Sequence, residues 1–217
     1  KSKQKAKRII ILVIEAMSDP TFLQQAYNVP LEMPNYETLM VESIHAKRSY
    51  SQNDSTISSM GTILTGLHGS QHGISDYRSM PEYYENAMLS KNISTLPEIL
   101  KEHQFLTIGG GSCKRTSPAY GWSRGFDSYM NVPYTQHDNA PDIPWAKRAL
   151  DSMVGHDGLL FLYLDLLHWP SIIFSHPRTP HIYSSDVLIE ASHKEQTLLQ
   201  YMERLNQVDL QIGELIS

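Results

Sequence analysis

Apolar residues gather in two uninterrupted runs, Ile9 to Ile14 and Leu159 to Leu164. Runs without polar alternation read as strands buried on both faces, the pattern of a parallel sheet. Glu15 ends the first run and Asp165 the second. Between and after them the spacing changes to helical. Met33 to Ser43, Thr56 to Leu64 and Asp142 to Met153 read as helices, and Ser94-Thr-Leu-Pro-Glu98 reads as a helix start with proline in its first turn. Leu198, Met202, Leu205, Val208, Ile212 and Leu215 mark one face of a long helix over residues 185–216. Phe105 to Ile108 reads as a short strand stopped by Gly109-Gly110-Gly111, and Asp19-Pro20 reads as a break. Strands alternating with helices predict an α/β fold, a three-layer sandwich around a mostly parallel central sheet. The irregular, proline-bearing stretch from His168 to Ser184 has the length of a functional loop. No internal repeat is present. Residues 1–8 read as a basic arm, and residues 9–217 show no internal domain boundary and read as the N-terminal part of a larger domain.

Composition narrows the classes. With 18 basic and 23 acidic side chains, the net charge of −5 argues against a nucleic-acid partner. No apolar run approaches the roughly 18 residues of a membrane helix. The single cysteine, Cys113, excludes an internal disulfide. Lys1, Lys3, Lys5, Lys7 and Arg8 form a solvated or juxtamembrane arm, and the apolar run behind them is too short for a signal peptide.

In open α/β sheets, ligands bind beyond the carboxyl ends of the strands, where Glu15 and Asp165 fall. Asn53-Asp-Ser-Thr-Ile-Ser-Ser-Met-Gly-Thr62 is a hydroxyl-rich turn running into a helix. A hydroxyl there faces backbone N–H groups and the positive end of the helix dipole, which suits a nucleophile attacking an anionic group. The alternative is that Ser55 or Thr56 simply caps the helix. His68 and His72 have the i, i+4 spacing of a metal pair, but the glycine and serine between them favour a loop and structural or solvent-facing roles. Asn53 and Asn92 lie in glycosylation sequons, too common a pattern to fix a compartment.

The order of these segments resembles the sulfatase-like branch of the alkaline phosphatase superfamily. The residues that carry the resemblance are Ile-Leu-Val-Ile-Glu15, Met33-Pro-Asn35, Thr56 followed by Ile-Leu-Thr-Gly66, and Gln-His72-Gly-Ile74. Further matches are Leu96-Pro-Glu-Ile-Leu100, Gly125-Phe-Asp127, the strand to Asp165 with His168-Trp-Pro170, and Gln207-Val-Asp-Leu-Gln-Ile-Gly213. The resemblance implies a divalent metal (Zn, Mn, Mg or Ca) at the sheet's carboxyl edge. It implies Glu15 as a metal-binding acid, Thr56 as nucleophile and metal contact, and His168 as a contact to substrate oxygens. Asn53 and Lys114 are the further substrate-binding candidates. The implied substrate is a small-molecule or lipid-linked phosphate or sulfate ester, and an extracytoplasmic setting is favoured.

Two departures shape the expectation. The run Thr56-Ile-Ser-Ser-Met60 lacks the proline and arginine of the formylglycine motif. Glu15 with Thr56, and Ala16 where sulfatases carry a second acid, is similar to the phosphotransferase and phosphoesterase members. The family's Asp-His-Gly strand would begin just beyond Ser217, so the fold reads as C-terminally incomplete and this chain alone as weakly active or inactive. A formylglycine-independent sulfatase and an inert binding domain are the alternatives.

Overall fold

The computed structural model describes residues 6–28, 30–46, 48–74, 88–131, 143–167 and 191–217. They divide into two compact units, one of residues 1–13 and 46–164, the other of residues 14–45 and 165–217.

The first unit is built on a four-stranded sheet. Its strands are β1 (Arg8–Ile14), β2 (Leu106–Gly111), β3 (Ser128–Asn131) and β4 (Gly158–Leu164), in the order β1-β4-β2-β3. β2 pairs parallel with both neighbours, Ile108 lying opposite Leu160 on one side and Ser128 on the other. Every residue of β4 is buried, as its continuous apolar run predicts. β1 differs from the expectation of burial on both faces. It is an edge strand of the described sheet, with Ile9 38% and Ile10 44% exposed.

The glycine run also departs from expectation, because β2 continues through Gly109, Gly110 and Gly111 rather than ending before them. The cause is close packing. A Cβ on Gly109 would lie 2.7 Å from the Phe126 ring, and one on Gly111 would lie 2.2 Å from Thr116 Oγ1. The sheet's partners are pressed so near that only glycine fits. β3, which follows this packing, was not expected from the pattern.

Helices α3 (Thr56–Thr65), α4 (Gly69–His72), α5 (Leu96–Glu102) and α6 (Ile143–Ser152) complete the unit. Thr95 caps α5 through a reciprocal capping box, its hydroxyl accepting from Glu98 N–H while the Glu98 carboxylate accepts from Thr95 N–H. The core gathers Ile57, Met60 and Leu64 of α3 with Trp122, Phe126, Leu159 and Phe161.

The second unit contains α1 (Pro20–Tyr27), α2 (Pro34–Glu42) and α7 (Ala191–Ile216). Asp19-Pro20 starts a helix rather than breaking the chain. Asp19 is the N-cap, its carboxylate accepts from Phe22 N–H at 2.9 Å, and Pro20 takes the first helical position. Leu205, Val208 and Ile212 form the buried stripe of α7, at 0%, 0% and 3% exposure. Among the described residues no helix is long and apolar enough to cross a membrane.

Candidate metal centre and nucleophile turn

Glu15 follows β1 directly and Asp165 follows β4 directly, so two neighbouring strands of the sheet each end on a carboxylate. Carboxylate oxygens of the two residues lie within 4.8 Å of each other. Asp165 is 7% exposed and Glu15 is half-buried. Two carboxylates held this close present concentrated negative charge, which a divalent cation complements. An all-oxygen donor pair suits a hard or borderline divalent cation, and it supplies part of such an ion's shell of roughly four to eight ligands. The pair therefore fits the metal that the sequence implies. The sequence marks Asp165 as a strand end without identifying it as a ligand. Its signal was present in the second apolar run, which, like the first, terminates on an acid.

The turn before α3 is tied by its own polar atoms. Asn53 Oδ1 accepts from Ser55 N–H at 2.9 Å, and the Asn53 carbonyl accepts from the hydroxyls of Ser51 (2.5 Å) and Ser59 (3.1 Å). This Asx-type closure leads the chain into α3 with Ser55 as N-cap. The Ser55 side chain makes no capping hydrogen bond, so the capping reading is not realised at that residue. Thr56 is the first helical residue and is half-buried. The helix behind it is anchored by Ile57, Met60 and Leu64, none more than 1% exposed.

The two histidines part company. His68 is exposed at the start of α4, which forms one short helical turn where a loop was expected. His72 is 2% exposed and fully engaged. Its Nδ1 accepts from Ile74 N–H at 3.1 Å, which leaves the proton on Nε2 to donate to Thr62 Oγ1 at 3.2 Å. Burial pushes the imidazole pKa below its usual value. Its role is structural, as the sequence favoured. Lys114 opens a short 3₁₀ turn, Lys114–Thr116, immediately beyond β2, but its side chain lies outside the described residues, as does His168.

Comparison with known proteins sets this arrangement in a class. The sulfatase family model matches residues 7–217, and the chain belongs to that family. Among solved structures it is similar to the lipoteichoic acid synthase LtaP from Listeria monocytogenes, with 17% identity and a TM-score of 0.66 over 98% of this chain and 52% of that one. It is also similar to the C-terminal periplasmic domain of EptC from Escherichia coli, solved in complex with Zn, with 14% identity and a TM-score of 0.63 over 100% and 60% of the two chains. A third similar structure comes from work on glycosaminoglycan metabolism in Bacteroides thetaiotaomicron, with 11% identity and a TM-score of 0.66 over 98% and 57%. The chain thus spans little more than half the length of these proteins. No curated protein sequence matches it. At these identities the likeness is one of fold, and it bears out the α/β, alkaline-phosphatase-like expectation.

Proposed function

We propose that the protein is a metal-dependent enzyme that hydrolyses or transfers phosphate esters through a covalent intermediate on Thr56. The observation that carries this reading is the Glu15 and Asp165 carboxylate pair at adjacent strand ends, with oxygens within 4.8 Å. Family membership and the absence of the formylglycine motif around Thr56 support it. The substrate class is a small-molecule or lipid-linked phosphate ester. The similar structure LtaP is a lipoteichoic acid synthase, which supports that class.

Glu15 and Asp165 would hold the metal, with Thr56 as a further contact. A bound divalent cation lowers the pKa of a coordinated hydroxyl and neutralises charge on the transferred group. Thr56 Oγ forms a bond to the ester phosphorus while the bond from phosphorus to the ester oxygen breaks. The Thr56 proton leaves with the departing alcohol. Water or an acceptor hydroxyl then attacks the same phosphorus, the Thr56–phosphorus bond breaks, and the attacking group's proton returns to Thr56. His168, Lys114 and Asn53 would contact the ester oxygens. Asn53 would do so through Nδ2, since its Oδ1 accepts from Ser55 N–H.

The test is turnover of bis-p-nitrophenyl phosphate by the full-length protein with Mn²⁺ or Zn²⁺. We expect turnover that a chelator removes and metal restores, that Thr56→Ala abolishes, and that Thr56→Ser keeps in part. Turnover unchanged in Thr56→Ala overturns the nucleophile assignment. A faster reaction with p-nitrophenyl sulfate replaces the phosphate reading with a sulfate one. Absence of both reactions and of bound metal makes the protein a binding domain.

A further inference from the structure

The turn that carries Glu15 has an unusual backbone. Ala16 sits at φ 58°, in the left-handed region that an L-residue with a Cβ disfavours. Such a conformation persists only where its surroundings enforce it. The phenol of Tyr201 on α7 bonds this turn. Its hydroxyl donates to the Ala16 carbonyl at 2.7 Å and accepts from Ser18 N–H at 2.8 Å. One side-chain oxygen therefore closes the turn from both ends, across 185 and 183 residues of sequence. Tyr201 falls on the same helical stripe as the buried Leu205, Val208 and Ile212, at spacings of four, three and four. On the other side of the turn, Asp19 fixes the start of α1.

We propose that Tyr201 is the positioning residue of the metal centre, holding Ala16 left-handed so that the Glu15 carboxylate stays beside Asp165. The inference rests on the metal reading above. Ala16 follows Glu15 directly, so any relaxation of its φ rotates the chain at the ligand itself. Supporting groups of this kind typically change metal affinity about 10- to 100-fold when removed. Tyr201→Phe deletes only the hydroxyl and keeps the ring on α7. Ala16→Gly removes the conformational penalty without touching the hydrogen bonds.

The experiment is titration of the full-length protein with Zn²⁺ or Mn²⁺ against a chromophoric chelator, with the melting temperature of the metal-free proteins measured in parallel. Tyr201→Phe is expected to remain folded and to bind metal roughly 10-fold or more weakly. Ala16→Gly in that background is expected to recover part of the loss, because glycine occupies the left-handed region unaided. Wild-type affinity in folded Tyr201→Phe overturns the proposal, and so does an affinity loss that Ala16→Gly leaves unrelieved. A wild-type protein that binds no metal defeats the underlying metal reading instead. The crystal structure of Tyr201→Phe then decides the positioning claim separately. Departure of Ala16 from the left-handed region, with Glu15 drawn away from Asp165, supports it, and an unchanged turn refutes it.

Discussion

Asp209 of α7 caps the first turn of α2, bonding Asn35, 174 residues earlier in the chain, and Tyr36. Its Oδ2 accepts from Asn35 Nδ2 at 2.9 Å and from Asn35 N–H at 3.3 Å, and its Oδ1 accepts from Tyr36 N–H at 2.8 Å. The local N-cap of α2, Met33, offers no side-chain acceptor. A residue from a distant helix therefore satisfies donors that a serine or aspartate would ordinarily serve. The carboxylate also lies at the positive end of the α2 dipole. Asp209 is 3% exposed, so the bonds are shielded from competing water.

Removing this cap should be costly. Asp209→Ala leaves three N–H donors without their acceptor, and we expect a loss of about 1–3 kcal/mol in urea denaturation. Asp209→Asn retains one acceptor oxygen and should lose roughly half as much. Equal effects of the two substitutions would show that charge, not hydrogen bonding, sets the contribution.

Arg124 gathers a second set of long-range bonds, within the sheet-bearing unit. Its guanidinium forks onto Glu98, with Nε to Oε1 at 3.1 Å and Nη2 to Oε2 at 2.9 Å. The remaining donors reach the carbonyls of Ser90 at 2.9 Å and Ile93 at 2.7 Å, and Leu89 at the outer limit of 3.5 Å. Arg124→Lys cannot reproduce a planar fork with five donors, and an expected loss of about 1–3 kcal/mol follows from the abandoned carbonyls. Burial opposes ionisation of Glu98, yet hydrogen bonds from Thr95 and Arg124 prevail and hold its pKa below the ordinary value. The folded state therefore binds fewer protons than the unfolded one as pH falls past 4.5, the ordinary Glu98 value. The contribution is whole above that pH and is lost below it as Glu98 takes its proton. Denaturation midpoints across the acid range should fall less steeply in Arg124→Lys than in wild type.

Particular residues show which features the sequence could carry. The apolar run Leu159 to Leu164 has no polar member, and only a strand covered on both faces tolerates that, so β4 was legible. Thr95 with Glu98 and Pro97 announces α5 through local chemistry alone. Gly109 to Gly111, as a glycine run in isolation, looks like punctuation. Phe126 and Thr116 pack against it and turn it into strand, contacts made by the fold that the glycine run itself does not announce. Asp19-Pro20 carried a legible cap that was read as a break. At the site, Glu15 and Asp165 were visible as strand ends, because each apolar run stops on an acid. Their approach to within 4.8 Å comes from β1 lying beside β4 in the sheet, an order that no local pattern encodes. The Tyr201 bridge and the Asp209 cap are equally non-local, with nothing in the sequence pairing those positions.

His72 packs against the helix behind Thr56 and should make it sensitive to acid. Its ring presses on α3 at Gly61, where a Cβ would lie 2.8 Å from Cε1, and the Ile74 carbonyl accepts from Ser58 Oγ of the same helix at 3.0 Å. The ring cannot swing aside without surrendering its bonds to Ile74 N–H and Thr62. Gly61→Ala should therefore cost about 1–3 kcal/mol through overpacking. Protonating Nδ1 would set N⁺–H against the Ile74 N–H, which adds to the burial that already lowers the pKa. A depressed histidine pKa means that the unfolded chain binds the proton first. Stability should thus hold above 6.5, the ordinary histidine value, and decline as pH falls from there toward the folded-state pKa. His72→Gln, which cannot titrate, should lose that decline while keeping a side-chain donor and acceptor. Urea midpoints between pH 8 and pH 5, with ring-nitrogen NMR shifts reporting the Nε2–H tautomer, would check both parts. A wild-type profile parallel to that of His72→Gln would assign the acid sensitivity to other groups.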